Sequence, residues 1–214
     1  IKITFYNRKA HALEIKDMAD GKKVGFFNNY AAISNYIFYT GDSAVHLSTP
    51  DYRYSQYDLW DDEKYARGRP LVAIQSKHLD PPNLTRMATG EMKGFINIAE
   101  FQPLNKLELK IGEINKSGNN LNIEFILTNY DNFSVFTDHI SEPAICLAQD
   151  KSEIYSVSLK SLLQKNEIRH DESVKVNLTI PENNVDIEKP LTVYTRSREN
   201  IRGEMVSVKL RAHF

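Results

Sequence analysis

Residues 23–47 read KVGFFNNYAAISNYIFYTGDSAVHL. Val24, Phe26 and Phe27 form an apolar run too short for a helix and bounded by polar residues, the pattern of a buried strand. Ala44-Val-His-Leu47 repeats it, so 23–27 and 44–47 are predicted strands. Between them, Ile33, Tyr36 and Ile37 fall on one side of a helix predicted over 31–40. Gly41 supplies the residue that closes such a helix in a left-handed conformation. A strand, a helix and a second strand joined by short connections is the unit from which parallel sheets are wound.

The same grammar extends in both directions. Arg8 to Asp20 spaces Ala10, Leu13, Met18 and Ala19 loosely on one side, with Gly21 as a stop. Residues 56–66 are a further predicted helix, and Pro70-Leu-Val-Ala-Ile74 a third strand. This αβαβαβ order predicts a small α/β subdomain with a parallel sheet over residues 1–75. Residues 76–93 hold the adjacent Pro81 and Pro82, several turn formers and little periodicity, and read as a linker. Beyond them the period becomes two. Leu121, Ile123, Phe125 and Leu127 alternate with other residues, as do Val174, Val176, Leu178 and Ile180, then Val206, Val208, Leu210 and Ala212. With turns such as Ser117–Asn120 and Pro181–Asn184, this predicts an antiparallel β-sandwich over 94–214. A short helix fits 158–165. The fold class expected is α+β.

Composition narrows function mainly by exclusion. The 214 residues carry 27 basic and 28 acidic side chains, a net charge of −1, so nothing electrostatic favours nucleic acid. Cys146 lies in the apolar run Ala144–Ala148 and reads as a small buried hydrophobe. The chain has no leader pattern and no apolar run near the ~18 residues that span a bilayer. It starts at Ile1 without an initiator Met, which suggests a piece of something longer.

The search for chemistry returns little. His11, His46, His78, His139, His170 and His213 are scattered without metal-ligand spacing. There is no Gly-x-Ser-x-Gly elbow and no glycine-rich phosphate loop. Asp61, Asp62 and Glu63, with Asp58 nearby, suit the start of a helix better than a pair of glycosidase carboxylates. No catalytic residue, metal or cofactor is expected. The aromatic bias stands out instead: eight of eleven tyrosines and the only tryptophan fall within residues 1–65. Residues 52–60, YRYSQYDLW, concentrate it. Such amphipathic rings suit a sugar-stacking platform, a docking surface or a core equally well.

Three ordered blocks carry a resemblance. Gly25-Phe-Phe-Asn-Asn-Tyr30, then Ser34-x-Tyr36-x-Phe38-Tyr39-Thr40-Gly41, then Tyr52-Arg53-x-x-Gln56-Tyr57-Asp58-Leu59-Trp60 resemble the segment after the last membrane helices in bacterial glycosyltransferases of family 39. These are similar to dolichyl-phosphate-mannose-protein mannosyltransferases and lipid A aminoarabinose transferases. The resemblance covers about residues 20–75 and does not extend to the sandwich half. It implies a periplasm-facing, non-catalytic C-terminal domain at the bacterial inner membrane. Its partner would be the enzyme's own N-terminal transmembrane module, which transfers a sugar from a polyprenyl-phosphate carrier to a protein or lipid acceptor. On this reading the substrate or partner contacts are Asn29, Tyr39, Tyr52, Arg53, Tyr54, Gln56, Tyr57 and Trp60. Tyr57 and Trp60 are the expected core anchors, and Tyr52, Arg53 and Tyr54 the exposed contacts. The alternative is a freestanding carbohydrate-binding or adhesion module built on the sandwich.

Overall fold

The computed structural model describes residues 2–52, 62–76 and 84–210, which divide into two units, 1–103 and 104–214. Helix α1 spans Lys2–Ala19 and ends where Asp20 and Gly21 turn left-handed, with φ of 49° and 75°. Strand β1, Lys23–Phe27, follows, then α2, Tyr30–Thr40, and β2, Ala44–Leu47. Asn29 caps α2 by accepting from Ala32 N at 2.9 Å. Gly41 closes it at φ 73°, its N–H donating to Ile37 O, as the sequence predicts. Ile33 and Tyr36 face the core, whereas Ile37 is exposed.

Strand β3 is Leu71–Ser76, β4 Leu84–Arg86 and β5 Met92–Ile98. The five strands form one sheet in the order β2-β1-β3-β5-β4. β1 pairs parallel with β2 (Phe27 beside Leu47) and with β3 (Phe26 beside Ile74), while β3–β5 and β5–β4 are antiparallel. The sheet is therefore mixed, where the αβαβαβ order predicts a parallel one. Central β1 is flanked on both edges and covered on both faces, which explains its nearly continuous apolar run. Ala12, Ile15 and Ala19 of α1 and Ile33 and Tyr36 of α2 pack on Val24, Phe26, Val72 and Ile74, so both helices cover one face.

Two expectations change here. Of the stretch read as a linker, residues 84–93 are β4, a tight turn and the start of β5. Met87 N donates to Glu91 O at 2.8 Å, and Gly90 turns at φ 86°. The turn formers close a hairpin, and the division between units comes after Pro103. Of the helix predicted over 56–66, residues 62–65 are a single 3-10 turn, and 56–61 lie outside the described residues.

Among the described residues, the strands of the second unit all pair antiparallel, with one short α-helix and a 3-10 turn at Glu182–Asn184 between them. β6 (Leu107–Ser117), β7 (Asn120–Asn129) and β12 (Ser173–Pro181) form a three-stranded sheet in the order β12-β7-β6. β9 (Ala144–Gln149), β10 (Ser152–Ser158), β13 (Pro190–Arg196) and β14 (Arg202–Lys209) form a second, in the order β10-β9-β13-β14. β8 (Val135–Phe136) and β11 (Glu167–Ile168) make a small ribbon, and α3 is Leu159–Leu162. Leu121, Ile123, Phe125 and Leu127 meet Ile145, Leu147, Leu191 and Val193 in one core, all of them fully buried. Two sheets closing over a shared apolar layer are a sandwich-like arrangement.

Candidate functional site

The carboxyl edge of β1 and β2 is where the first unit gathers its polar groups. β1 runs into Asn28, whose φ of 53° turns the chain toward the α2 cap. β2 runs into Ser48 and Thr49, both buried. Asn28 N donates to Leu47 O at 2.9 Å, and Asn28 Nδ2 donates to Thr49 Oγ1 at 2.7 Å. Thr49 N returns a bond to Asn28 Oδ1 at 3.0 Å, and Thr49 Oγ1 donates to Asp51 Oδ1 at 2.7 Å. Tyr52 N then donates to Thr49 O at 3.0 Å, and the Tyr52 ring lies 6.0 Å from that of His46. The chain thus leaves the sheet edge on a fixed heading at Tyr52.

Of the predicted contacts, Asn29 and Tyr52 share this edge. Tyr39 does not. α2 runs back across the sheet, so Tyr39 is ten residues, about 15 Å, further along the helix. It packs edge-on against Phe38, with ring centres 4.9 Å apart. Phe38 itself is 80% exposed on the outer side of α2. Arg53, Tyr54, Gln56, Tyr57 and Trp60 lie outside the described residues, as do Asp58 and Asp61.

On the helical face of the sheet, the same edge holds a cavity of about 230 Å³ that the sequence does not announce. Arg8, His11, Ala12 and Ile15 of α1 line it, with Asn29, Asn35 and Tyr36 around α2, and Glu91 and Lys93 at the start of β5. Lys93 Nζ bonds Glu91 Oε2 at 3.1 Å, and His11 Nδ1 lies 4.0 Å from the same oxygen. Burial pulls the His11 ring below its ordinary value despite the neighbouring Glu91 carboxylate. The hydrogen bond from Lys93 holds Glu91 below the usual carboxylate range. Desolvation pushes Tyr36 up to about 12, so its hydroxyl stays protonated. The signals for this cluster are short-range only. Arg8 and His11 are three apart on a helix, and Glu91 and Lys93 two apart on a strand. Nothing local brings the pairs together.

In the second unit a polar group crosses the outer side of the larger sheet. Arg196 grips Glu153 with two bonds of 3.1 Å, and Tyr194 OH donates to Glu153 Oε2 at 3.0 Å. Cys146 beside them is fully buried in β9, and burial pushes its thiol up to about 11. This is a structural brace and not a nucleophile with its base. Among the described residues, no cluster of His, Cys, Asp and Glu could hold a metal ion, and no helix is long and apolar enough to cross a membrane.

No protein-family model matches this chain, and no curated protein matches it.

Proposed function

We propose that the chain is the non-catalytic, extracytoplasmic domain of a membrane-embedded glycosyltransferase of the family 39 type, which moves a sugar from a polyprenyl-phosphate carrier to a protein or lipid acceptor. Its first unit, a small α/β module, meets the transmembrane module at the periplasmic face of the inner membrane. The observation that carries this reading is the Asn28–Thr49 pairing. It ties the first block of the resemblance to Thr49, three residues before the third block begins, across the whole of α2 and β2. Carboxyl ends of parallel strands are where open α/β sheets receive ligands, which suits a contact role for the segment that follows. The exposed Tyr30, Ile37 and Phe38 on α2 suit a surface that meets another module.

The test uses the full-length enzyme. The gene upstream of Ile1 is expected to encode several apolar segments of ~20 residues. Arg53→Ala and Trp60→Ala are expected to lower sugar transfer more than they lower this domain's melting temperature. A gene without such segments overturns the proposal. So does a loss of transfer that merely follows a loss of domain stability, which truncating a core Trp would produce at ~3–5 kcal/mol.

One observation favours the second reading, glycan binding by the sandwich. Tyr130, Phe133 and Phe136, within seven residues, are 51%, 54% and 45% exposed. Their connection is fixed by the fully buried Asn129, which donates to Phe133 O at 2.8 Å and to Ile168 O at 2.9 Å. Rigid exposed rings are what sugar faces stack on. A glycan array showing binding that Phe133→Ala abolishes would support this reading over the first.

A further inference from the structure

We infer that the outward face of the β8–β11 ribbon is a binding platform for a neutral sugar ring, with Phe136 as the stacking surface and the Glu167–Arg169 pair as the clamp on its hydroxyls. The site belongs to the glycan-binding reading of the second unit and rests on it.

Register decides which side chains share the face. Phe136 stands directly opposite Glu167, and Val135 opposite Ile168. Opposite residues of an antiparallel pair project on the same side, and successive residues alternate. Val135 and Ile168 are buried in the sandwich core, so Phe136 and Glu167 project away from it. Arg169, two residues on, returns to the same side, and its Nε donates to Glu167 Oε1 at 3.0 Å. The Ser134 hydroxyl bonds the same carboxylate. Phe136 is 45% exposed and the Arg169 side chain 76%.

Chemistry selects the ligand. A pyranose has an apolar C–H face and a rim of hydroxyls, so it needs a flat ring with directed polar groups at its side. The bond from Arg169 holds the Glu167 carboxyl below its usual range, and the ionised group accepts from hydroxyls. Among the described residues only Nε of the guanidinium is engaged, which leaves its two terminal nitrogens to donate. An apolar peptide would have to strip water from this ion pair. An anionic ligand would meet Asp171 and Glu172 beside Arg169, where Lys165 and Arg169 stand against Glu167, Asp171 and Glu172. Charge therefore selects a neutral sugar.

The platform is braced on both sides. Thr137 N donates to Asn166 O at 2.8 Å and Thr137 Oγ1 to Lys165 O at 2.7 Å, extending the ribbon past Phe136. The buried Asn129 holds Ile168 O at 2.9 Å. A face already held in place gives up little freedom on binding.

The test is an NMR titration of the chain with cellohexaose, maltohexaose and mannohexaose, and with oligogalacturonate as the charged counterpart. Saturable shifts of the Phe136, Glu167 and Arg169 amides are expected with at least one neutral probe, and weaker or no shifts with oligogalacturonate. Phe136→Ala should weaken that binding about tenfold, the scale of one stacked ring. Glu167→Gln and Arg169→Gln should each weaken it about threefold or more. Melting temperatures should stay at the parent value in both, because a surface ion pair adds little stability. Shifts confined to Tyr130 and Phe133 and insensitive to Glu167→Gln overturn the platform while leaving glycan binding by the sandwich in place. No saturable shift with any probe overturns both, and tighter binding of oligogalacturonate overturns the neutral class.

Discussion

Asn28 and Thr49, twenty-one positions apart, hold each other by two hydrogen bonds, side chain to side chain at 2.7 Å and backbone to side chain at 3.0 Å. Asn is suited to this position twice over. Its amide both donates and accepts, and it tolerates the left-handed φ of 53° better than most residues. The pair fixes the directions in which the chain leaves β1 and β2.

Replacing Asn28 therefore separates bonding from conformation. Asn28→Ala should cost about 2–3 kcal/mol, near 1 for each bond and up to a further 1 because alanine lacks asparagine's tolerance of the left-handed region. Asn28→Gly removes the same bonds and tolerates the φ, so it should recover about 1 kcal/mol in urea unfolding. Equal losses in the two variants would show that the backbone turn carries no strain.

Two glycines on β-strands should respond to alanine to very different extents. A Cβ at Gly203 would stand 2.6 Å from the Leu104 carbonyl oxygen and 2.4 Å from Thr195 Oγ1, where a backbone atom cannot swing away. Gly203→Ala should cost about 3 kcal/mol, the upper range for overpacking a core. At Gly112 the nearest atom is Glu124 Oε1 at 2.6 Å, the far end of a side chain that is free to move. Gly112→Ala should cost under about 1 kcal/mol, the scale of giving up one surface ion pair. Melting temperatures of the two variants settle the contrast.

Where local chemistry decides the structure, the sequence is readable. β1 and β2 are found at their predicted bounds because short apolar runs between turn formers have no other stable use. Gly41 ends α2 because only the left-handed residue stops it there. Leu121 to Leu127 sit in the sandwich core because alternation admits one burial pattern. Where pairing decides, it is not. β5 is stabilised by lying beside β3, and its residues share no local signal with it. Ala88, Thr89 and Gly90 look alike whether they loosen a linker or tighten a hairpin. The cavity was illegible for the same reason, since Lys93 reaches Arg8 and His11 only through that unforeseen pairing.

Cys146 gives a kinetic probe of the second unit. The side chain is fully buried and burial raises its thiol to about 11, so at pH 8 it is both shielded and protonated. Thiol reagents should react with the native chain far more slowly than with the unfolded one, at a rate set by opening of the sheet. Cys146→Ala should leave the fold intact and abolish labelling. Fast labelling without denaturant would mean that β9 is not closed.

His11 should make the stability of the first unit fall before the carboxylates do. Its folded value lies below 6.5 because burial disfavours the charged ring, so between the two values the unfolded chain binds more protons. Stability is unaffected well above pH 6.5, falls as pH drops through it, and stops falling below the folded value. Burial outweighs Glu91 beside β5 and Glu14 on the same helix, which draw the His11 value upward, and Lys93 lowers it further. Glu91 acts in a separate window. Its folded value is lowered, so its contribution is complete above its ordinary 4.5 and is lost as pH falls through the folded value. Unfolding measured from pH 7.5 to 3 should therefore show two acid limbs. His11→Gln should remove the upper limb and leave the lower, whereas Lys93→Gln should shrink the lower. An unchanged upper limb in His11→Gln would assign that proton uptake to another group.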